Sequence, residues 1–387
     1  MDPEPAIERA RAFARETVAP LAAALDREPD PERCFSWDLV EAGNRIGLRT
    51  LTLAPQEGGS GMGMGTLARV IFEIARADVG ISAVFAQTNK LWQLLAGAAT
   101  PEQLAWLVPR FRDDPRCLLA VAITEPDVGS DHIIPDRNPS GPRFTTRAVR
   151  EPGGWILDGY KHFIDNGNRA GIYLLLAQTD PEVSLAVGTT CFVAESGTPG
   201  LRPGKVFDKL GERLANHAQV FMESCFLPDS HVLGQLNGGF DVLHHHFAGR
   251  ATLAAASVLG VAQAAYDLVL ESSLDSPRIP GRNYDVLDIQ LAEMQMTLQA
   301  AKDHVFATAE RIEAGCQGPT EDGLAKVFAA RAAHRVVTSA VELSEEAGCD
   351  RDRGLEKLVR DCSSFFHSDG VNLTLLMRSG RQISSRP

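Results

Sequence analysis

The strongest constraint on the fold is that the spacing of apolar residues changes twice along the 387 residues. Residues 1–116 repeat apolar positions every three or four residues, as in Ile7–Leu25 and Ser82–Ala98, which predicts amphipathic helices. Residues 117–234 contain short alternating runs separated by turn signals, which predicts a small β-domain. Residues 235–387 return to helical spacing, and Ala251–Leu270 is apolar on nearly all sides. The pattern therefore predicts an α+β chain with three domains at these boundaries.

Charge and cysteine content narrow the possible partners. The formal net charge of −12 argues against nucleic acid or an anionic membrane surface as the main partner. The seven cysteines include no C-x-x-C pair, which favours reduced thiols over disulfides or a zinc site. The N-terminus is acidic and helical without the pattern of a signal peptide, and no apolar run approaches the length of a membrane span. We expect a cytoplasmic protein with no membrane partner.

The run AITEPDVGSD, from Ala122 to Asp131, follows a strand-like apolar stretch. Pro126 and Gly129 end the strand, and the loop offers backbone N–H groups with the hydroxyls of Thr124 and Ser130. Neutral donors of this kind suit a ligand with a phosphate and a heteroaromatic edge. Many turns of this composition bind nothing, so the residues alone leave both interpretations open.

Two other segments have plain structural interpretations. The glycine-rich PQEGGSGMGMG, from Pro55 to Gly65, lacks the Lys-Ser/Thr of a phosphate-binding P-loop and is better interpreted as a flexible connector. The triplet His244-His245-His246 invites a metal site, but adjacent helical residues point about 100° apart and cannot converge on one ion. A polar helix face near a pocket is the favoured interpretation, and no metal is expected.

Several of these segments, taken in their helix–sheet–helix order, resemble the acyl-CoA dehydrogenase family of flavoproteins. AITEPDVGSD is similar to the flavin-binding signature, and GYKHFIDNG, from Gly159 to Gly167, to the second flavin-contacting strand. PQEGGSGMGMG resembles the family's Pro-Glu-x-x-Gly-Gly loop, and Ala340–Cys362 can be laid on its C-terminal Arg-Asp motif. The resemblance covers nearly the whole chain. It implies an N-terminal helical domain, a central β-domain and a C-terminal four-helix bundle.

The resemblance implies FAD as cofactor and α,β-dehydrogenation of an acyl thioester of coenzyme A or acyl carrier protein. In that chemistry a carboxylate removes the α-proton, flavin N5 accepts the β-hydride, and donors polarise the thioester carbonyl. The implied substrate contacts are Arg250 and Gly370. The implied cofactor contacts are Ile123, Thr124, Gly129, Ser130, Phe163 and Asp165. A place in the β-domain core is the alternative for Phe163.

The resemblance assigns the catalytic base to Asp369. The family's usual base is a glutamate nine residues after the arginine of the C-terminal motif, and counting from Arg360 reaches Asp369. The family's other base position falls on Gly249, which has no carboxylate. Aspartate is one methylene shorter, so its reach is roughly 1.5 Å less and the substrate has to sit deeper. The alternative for Asp369 is a solvated turn residue beside Gly370.

Two further departures from the family pattern concern the flavin. Asp165 stands where threonine is usual, so either it turns away from N5 or the flavin is tuned for different chemistry. In the segments where the family holds the ADP half from the partner subunit, Arg278 and Arg282 are out of register. Carboxylates of Glu342, Glu345 and Glu346 stand where a pyrophosphate is expected. A homodimer is therefore expected to hold FAD poorly in the usual way.

These observations predict a specialised dehydrogenase, working in a biosynthetic pathway as a homodimer or homotetramer. The electron acceptor is expected to be an electron-transfer flavoprotein or oxygen. Two alternatives stay open. The chain could be one subunit of a hetero-oligomer whose partner completes the flavin site, or a flavin oxidase or monooxygenase of the same fold.

Overall fold

The computed structural model describes residues 2–130, 141–246, 249–275, 284–316, 318–344 and 348–385. The N-terminal part is helical as predicted, and a π-helical segment, Ala14–Val18, joins its first two helices. The six helices are α1 (Glu4–Phe13), α2 (Ala19–Asp26), α3 (Trp37–Arg45), α4 (Met64–Ala75), α5 (Val79–Ala98) and α6 (Pro101–Asp113). Asp78 caps α5, since its carboxylate accepts a hydrogen bond from the Ile81 N–H at 2.9 Å.

The middle part forms an eight-stranded sheet and a short helix, α7 (Leu185–Gly188). The strands are β1 (Leu118–Ala122), β2 (Arg147–Glu151), β3 (Gly154–Asp165), β4 (Ala170–Gln178), β5 (Thr189–Glu195), β6 (Leu201–Val206), β7 (His217–Pro228) and β8 (Val232–Leu233). Their order is β6-β7-β3-β2-β4-β5-β8, and β1 pairs in parallel with β4. This arrangement brings the loop after β1 beside β3, where the His162 N–H donates to the Thr124 carbonyl at 2.8 Å.

The C-terminal part is helical. Its helices are α8 (Gly239–His246), α9 (Arg250–Asp275), α10 (Asp285–Glu313), α11 (Pro319–Leu343), α12 (Leu355–Ser364) and α13 (Asn372–Ser384). The helices α9, α10 and α11 are long, whereas α8, α12 and α13 are shorter. Most of α9 is buried, as its apolar sequence predicts.

The N- and C-terminal helices share one apolar core. Leu67 and Ile71 of α4 belong to the same buried cluster as Leu259 of α9 and Leu298 of α10. Helix α9 comes so close to α4 at Gly260 that a Cβ added to this glycine would lie 2.6 Å from the Cβ of Ala75. Only glycine therefore fits there. The sheet therefore extends from a helical body that both ends of the chain build together.

Among the described residues, one helix is long and apolar enough to cross a membrane by length and composition. It spans Arg250–Leu274 with a hydropathy of 1.6, so the expectation that no stretch of this kind exists is wrong. Within that stretch 67% is buried by the rest of the protein, as expected for the core helix of a bundle.

Candidate active site

A cavity of about 400 Å³ lies between the sheet and the helical body. It is lined by all nine residues that were expected to act as base or to contact the flavin or the substrate: Ile123, Thr124, Gly129, Ser130, Phe163, Asp165, Arg250, Asp369 and Gly370. They come from the loop after β1, the end of β3, the start of α9 and the loop between α12 and α13. Residues up to 247 positions apart are therefore neighbours in the fold only because the sheet docks on the helices.

Glu125 fixes the loop after β1 from beneath. Its carboxylate accepts hydrogen bonds from the Lys161 ammonium (2.8 Å) and from the backbone N–H groups of Thr145 (2.6 Å) and Thr146 (3.1 Å). Lys161 also donates to the Ile123 carbonyl at 3.0 Å, which ties both ends of the turn to β3. Both side chains of the ion pair are buried, and burial lowers the pKa of Lys161 to about 8. The loop is thus held rigidly by these contacts, and its residues Thr124, Gly129 and Ser130 face the cavity.

Thr124, Ser130 and Gly129 of this loop differ in what they can offer to a ligand. The Thr124 hydroxyl donates to the His162 carbonyl at 2.5 Å, so its proton is committed to β3 and only its oxygen lone pairs remain for a ligand. Ser130 accepts from the Val371 N–H at 3.2 Å and can donate its own proton. A Cβ added at Gly129 would meet nothing within 4 Å, so space is open above the backbone there.

Phe163 is not a core residue, so the core alternative for it is wrong. Its side chain is 47% exposed, and its backbone has a φ of 61°. The ring lies 4.7 Å from the Phe207 ring and 5.2 Å from the His217 ring, between centroids. Beside it, the buried Nδ1 of His162 has no hydrogen-bond partner. An aromatic face and an unsatisfied polar atom therefore border the same space.

Asp165 does not stand alone, because its carboxylate lies within hydrogen-bond distance of His217 Nε2, and it still lines the cavity. Burial alone would raise the pKa of Asp165, but His217, Lys90 and Lys209 together lower it well below its usual range. Burial lowers the pKa of His217. The Lys209 ammonium lies 2.6 Å from His217 Nδ1. Because an ammonium can only donate, Nδ1 accepts this hydrogen bond, and the imidazole carries its own proton on Nε2, toward Asp165.

Asp369 lies in the loop between α12 and α13 with a φ of 51°. The Lys90 ammonium of α5 donates to both of its carboxylate oxygens, at 2.7 and 3.0 Å. The Lys90 side chain is only 4% exposed, and that of Asp369 is 25% exposed, toward the cavity. The alternative of a solvated turn residue is therefore wrong for Asp369.

The rest of this loop is anchored by its neighbours. Lys326 of α11 donates to the Gly370 carbonyl at 2.9 Å and to Asn372 Oδ1 at 2.7 Å, and burial lowers the pKa of Lys326 to about 8. The Gly370 N–H donates to the His367 carbonyl at 3.2 Å, so it would have to exchange that bond to polarise a thioester carbonyl. Arg250 opens α9 with 8% of its surface exposed, and burial lowers its pKa.

Glu212 is a buried carboxyl group on the cavity wall that sequence reasoning missed. Its N–H donates to Asp361 Oδ1 at 2.8 Å, and the Ser368 hydroxyl lies 3.4 Å from both carboxylate oxygens. Burial, together with the charges of Asp165, Asp361 and Asp369, raises the pKa of Glu212 to about 7, against the opposing effect of Lys209.

Four residues of the predicted partner-facing site, Arg278, Arg282, Glu345 and Glu346, lie outside the described residues. Glu342 is exposed at the end of α11. Within the described ranges, no three His, Cys, Asp or Glu side chains come together in a group that could hold a metal ion.

Models of the acyl-CoA dehydrogenase N-terminal, middle and C-terminal domains match residues 4–113, 120–225 and 237–383 in turn. The chain therefore belongs to the acyl-CoA dehydrogenase family. It is an FAD-dependent oxidoreductase of this type, and the fold and cofactor predicted from its motifs are confirmed.

Relatives align along nearly the whole chain. Cyclohex-1-ene-1-carbonyl-CoA dehydrogenase of Geobacter metallireducens is 29% identical over 97% of this chain and 96% of its own. The butyryl-CoA dehydrogenase of Megasphaera elsdenii has a TM-score of 0.89 at 25% identity, covering 99% of this chain and 100% of that one. A chain from a structure of the electron transferring flavoprotein of Acidaminococcus fermentans also has a TM-score of 0.89 at 25% identity, with 100% of both chains covered.

The cavity residues fit FAD. The exposed Phe163 ring can cover a planar heteroaromatic ring, Ser130 can donate to it, and the open space at Gly129 lets its phosphates approach the backbone. The partnerless Nδ1 of His162 is a further polar atom at this wall. When bound, FAD supplies a two-electron acceptor for a hydride.

Sequence reasoning missed Lys90, Glu125, Lys161 and His217. A signal existed for Lys90, because it is a lone lysine in the helix VGISAVFAQTNKLWQLLAGA, which is otherwise uncharged. A lysine inside such a helix is rarely buried without an anionic partner. No local pattern points to the other three, whose partners lie across the sheet.

Proposed function

We propose that the chain catalyses α,β-dehydrogenation of an acyl thioester with Asp369 as the base that removes the α-proton. The observation that carries the proposal is that Asp369 and the flavin-signature loop line the same cavity. The Ser130–Val371 hydrogen bond joins the two loops directly. A base and an electron acceptor on opposite sides of one substrate are what a concerted removal of a proton and a hydride requires.

In the proposed reaction the Cα–H bond breaks and its proton goes to a carboxylate oxygen of Asp369. The Cβ–H bond breaks and its hydrogen leaves with the electron pair as a hydride, which FAD, when bound, would accept. A Cα=Cβ double bond forms, and the thioester is oxidised by two electrons. Ser130 holds the base loop against the flavin loop, and Lys326 holds it against α11, so Asp369 is pre-positioned.

The carrier, coenzyme A or an acyl carrier protein, and the biosynthetic setting are parts of this proposal. The similarity to a chain from an electron transferring flavoprotein structure supports a flavoprotein as electron acceptor over oxygen. Exposed apolar side chains on α10, such as Val286 (67%) and Met296 (65%), support association through the helical body into a dimer or tetramer.

The test measures how fast the enzyme exchanges the thioester α-proton in D₂O. NMR monitors this exchange with butyryl-CoA and with glutaryl-CoA as substrates. Asp369→Asn keeps the size of the side chain but removes its basicity, so exchange should fall about 100-fold or more. Asp241→Asn, at an exposed carboxylate of α8, is the matched control and should exchange at the wild-type rate. Undiminished exchange in Asp369→Asn would remove Asp369 from the mechanism.

The same samples separate a dehydrogenase from an oxidase. Bleaching of the flavin band by substrate, with slow recovery in air and fast recovery with an electron-transfer flavoprotein, is the expected result. Rapid oxygen consumption would instead support the oxidase alternative.

A further inference from the structure

Two helices wall the inner part of the cavity, and each presents one face to it. The lining residues are neighbours on these faces: Ala83, Ala86, Gln87 and Lys90 on α5, and Arg250, Ala254 and Ser257 on α9. Lys90 and Arg250 lie at the Asp369 end, since the charges of both interact with its carboxylate. Farther from Asp369 the lining side chains of both faces are small or uncharged.

Gln87 carries a buried amide in the middle of the α5 face. Only 5% of this residue is exposed, and it lines the cavity. No hydrogen bond joins its side chain to another group in the part of the chain that the structure describes. A buried amide without a partner is costly, because its hydrogen bonds to water are lost and not replaced. Its carbonyl oxygen and its NH₂ group are therefore both available to a bound molecule.

Ser257 presents a second polar atom, on the opposite wall and farther from Asp369. The Ser82 hydroxyl donates to the Ile71 carbonyl at 3.0 Å, which uses its only proton. The Ser257 hydroxyl lies 3.3 Å from Ser82 Oγ and is therefore the donor of that pair. Since Ser257 is 3% exposed and lines the cavity, its oxygen can only accept from a ligand.

A plain alkyl chain does not match this space. With Asp369 as the base, the acyl chain beyond Cα extends between α5 and α9. An alkyl chain would exclude water from Gln87 and offer no hydrogen bond in return. A charged substituent is disfavoured as well, because neither lining face carries a charge beyond Lys90 and Arg250. An uncharged group that donates and accepts hydrogen bonds avoids both costs.

We propose that the enzyme prefers short acyl thioesters whose acyl chain carries a hydroxyl group, and that Gln87 selects for this group. The proposal rests on the function given above. A hydroxyl can accept from the Gln87 NH₂ group or donate to the Gln87 carbonyl oxygen, and it can also donate to Ser257. Gln87 is thus a specificity-determining residue, and Asp369 keeps its role as the base.

The helix geometry sets where the hydroxyl group lies. Gln87 follows Lys90 by three residues along α5, which corresponds to about 4.5 Å along the helix axis. Lys90 itself contacts Asp369 at 2.7 Å, so the amide lies a few bonds beyond the carbon that loses its proton. A hydroxyl group on the fourth or fifth carbon of the acyl chain meets this condition.

The experiment compares two pairs of coenzyme A thioesters in which a hydroxyl group replaces a terminal methyl group. They are 4-hydroxybutyryl-CoA with pentanoyl-CoA, and 5-hydroxypentanoyl-CoA with hexanoyl-CoA. Dissociation constants are measured by calorimetry on the FAD-loaded enzyme. The wild type should bind the hydroxylated member of at least one pair about tenfold more tightly. Gln87→Leu should lose or reverse this preference.

Gln93→Leu is the matched control, because it is the same substitution on the same helix at a half-buried residue outside the cavity lining. It should keep the preference. The thermal midpoint of ligand-free Gln87→Leu should not fall, because the substitution removes an amide that has no partner. A preserved midpoint shows that a loss of preference does not come from unfolding.

Three results would overturn the inference. They are equal or tighter binding of the alkyl member in both pairs, a hydroxyl preference that survives Gln87→Leu, and equal weakening of all four ligands by Gln87→Leu. In the last case Gln87 serves FAD or the fold. Failure of all four thioesters to bind the wild type would overturn the proposed function together with this inference. A Gln87-dependent preference with undiminished α-proton exchange in Asp369→Asn would overturn only the assigned base.

Discussion

At the scale of single residues, the departures from the family pattern are coupled to one another. Asp165 is matched by His217, His217 by Lys209, and Asp369 by Lys90. The carboxylate of Asp165 on the cavity wall, which looks unfavourable in isolation, therefore has a proton donor beside it. Motif spacing identified Asp165 and Asp369, but their partners are 52 and 279 positions away, and no spacing rule reaches that far.

Glu212 gives a pH-dependent prediction. Its pKa is raised from 4.5 to about 7, so the folded state keeps this proton where the unfolded chain has lost it. The stability from this group is fully present below pH 4.5 and is lost as pH rises through about 7, a change on the order of 3 kcal/mol. Glu212→Gln should remove this dependence.

The measurement is the unfolding free energy of both proteins from pH 5 to 8. The difference between them isolates Glu212, because His217, Asp165, Lys209, Asp361 and Asp369 are present in both. A difference that stays constant across this range would contradict the assignment of a raised pKa to Glu212.

At the scale of elements, the helices and strands follow from hydrophobic period, but the attachment of the loop after β1 does not. The sequence predicts a strand over the apolar stretch Cys117–Ile123 and a ligand-facing loop after it, and the strand β1 ends at Ala122. The buried Glu125–Lys161 pair that fixes the loop joins residues 36 apart across the sheet. Local propensity carries no information about such a pair.

Breaking this pair should destabilise the fold. Glu125→Gln leaves Lys161 buried without its carboxylate, which costs about 3–5 kcal/mol, measured by urea unfolding. The double variant Glu125→Gln/Lys161→Met should recover part of the loss, because it removes the buried charge as well. Glu223→Gln, in an exposed pair with Arg202, is the control and should leave stability nearly unchanged.

At the scale of the whole molecule, the helical body does not divide where the sequence pattern changes. Phe72 and Ile74 of α4 pack in the same core as Val258 and Leu259 of α9, and Arg76 pairs with Asp267 at 2.9 Å. Helix α4 therefore buries much of its apolar face against residues that come after the sheet. The three-part pattern predicts the order of the domains but not this shared core.

A fragment of residues 1–116 should consequently fail to fold alone. Its circular dichroism spectrum should show weak helicity and no cooperative thermal transition, since α4 loses the partners of its apolar face. Adding a second fragment of residues 117–387 should restore a cooperative transition. A sharp transition in the first fragment alone would show that its core is self-sufficient.

The loop that bears Asp369 has a consequence for the order of events in the life of the chain. Its contacts reach back 279 residues to Lys90, 241 to Ser130, 156 to Glu212 and 44 to Lys326. A chain still being synthesised can already contain the sheet and the flavin-signature loop, yet it lacks the carboxylate that we propose as the base. On this proposal the chemistry can begin only after the last helices have docked, and incomplete or truncated copies would not react with a thioester.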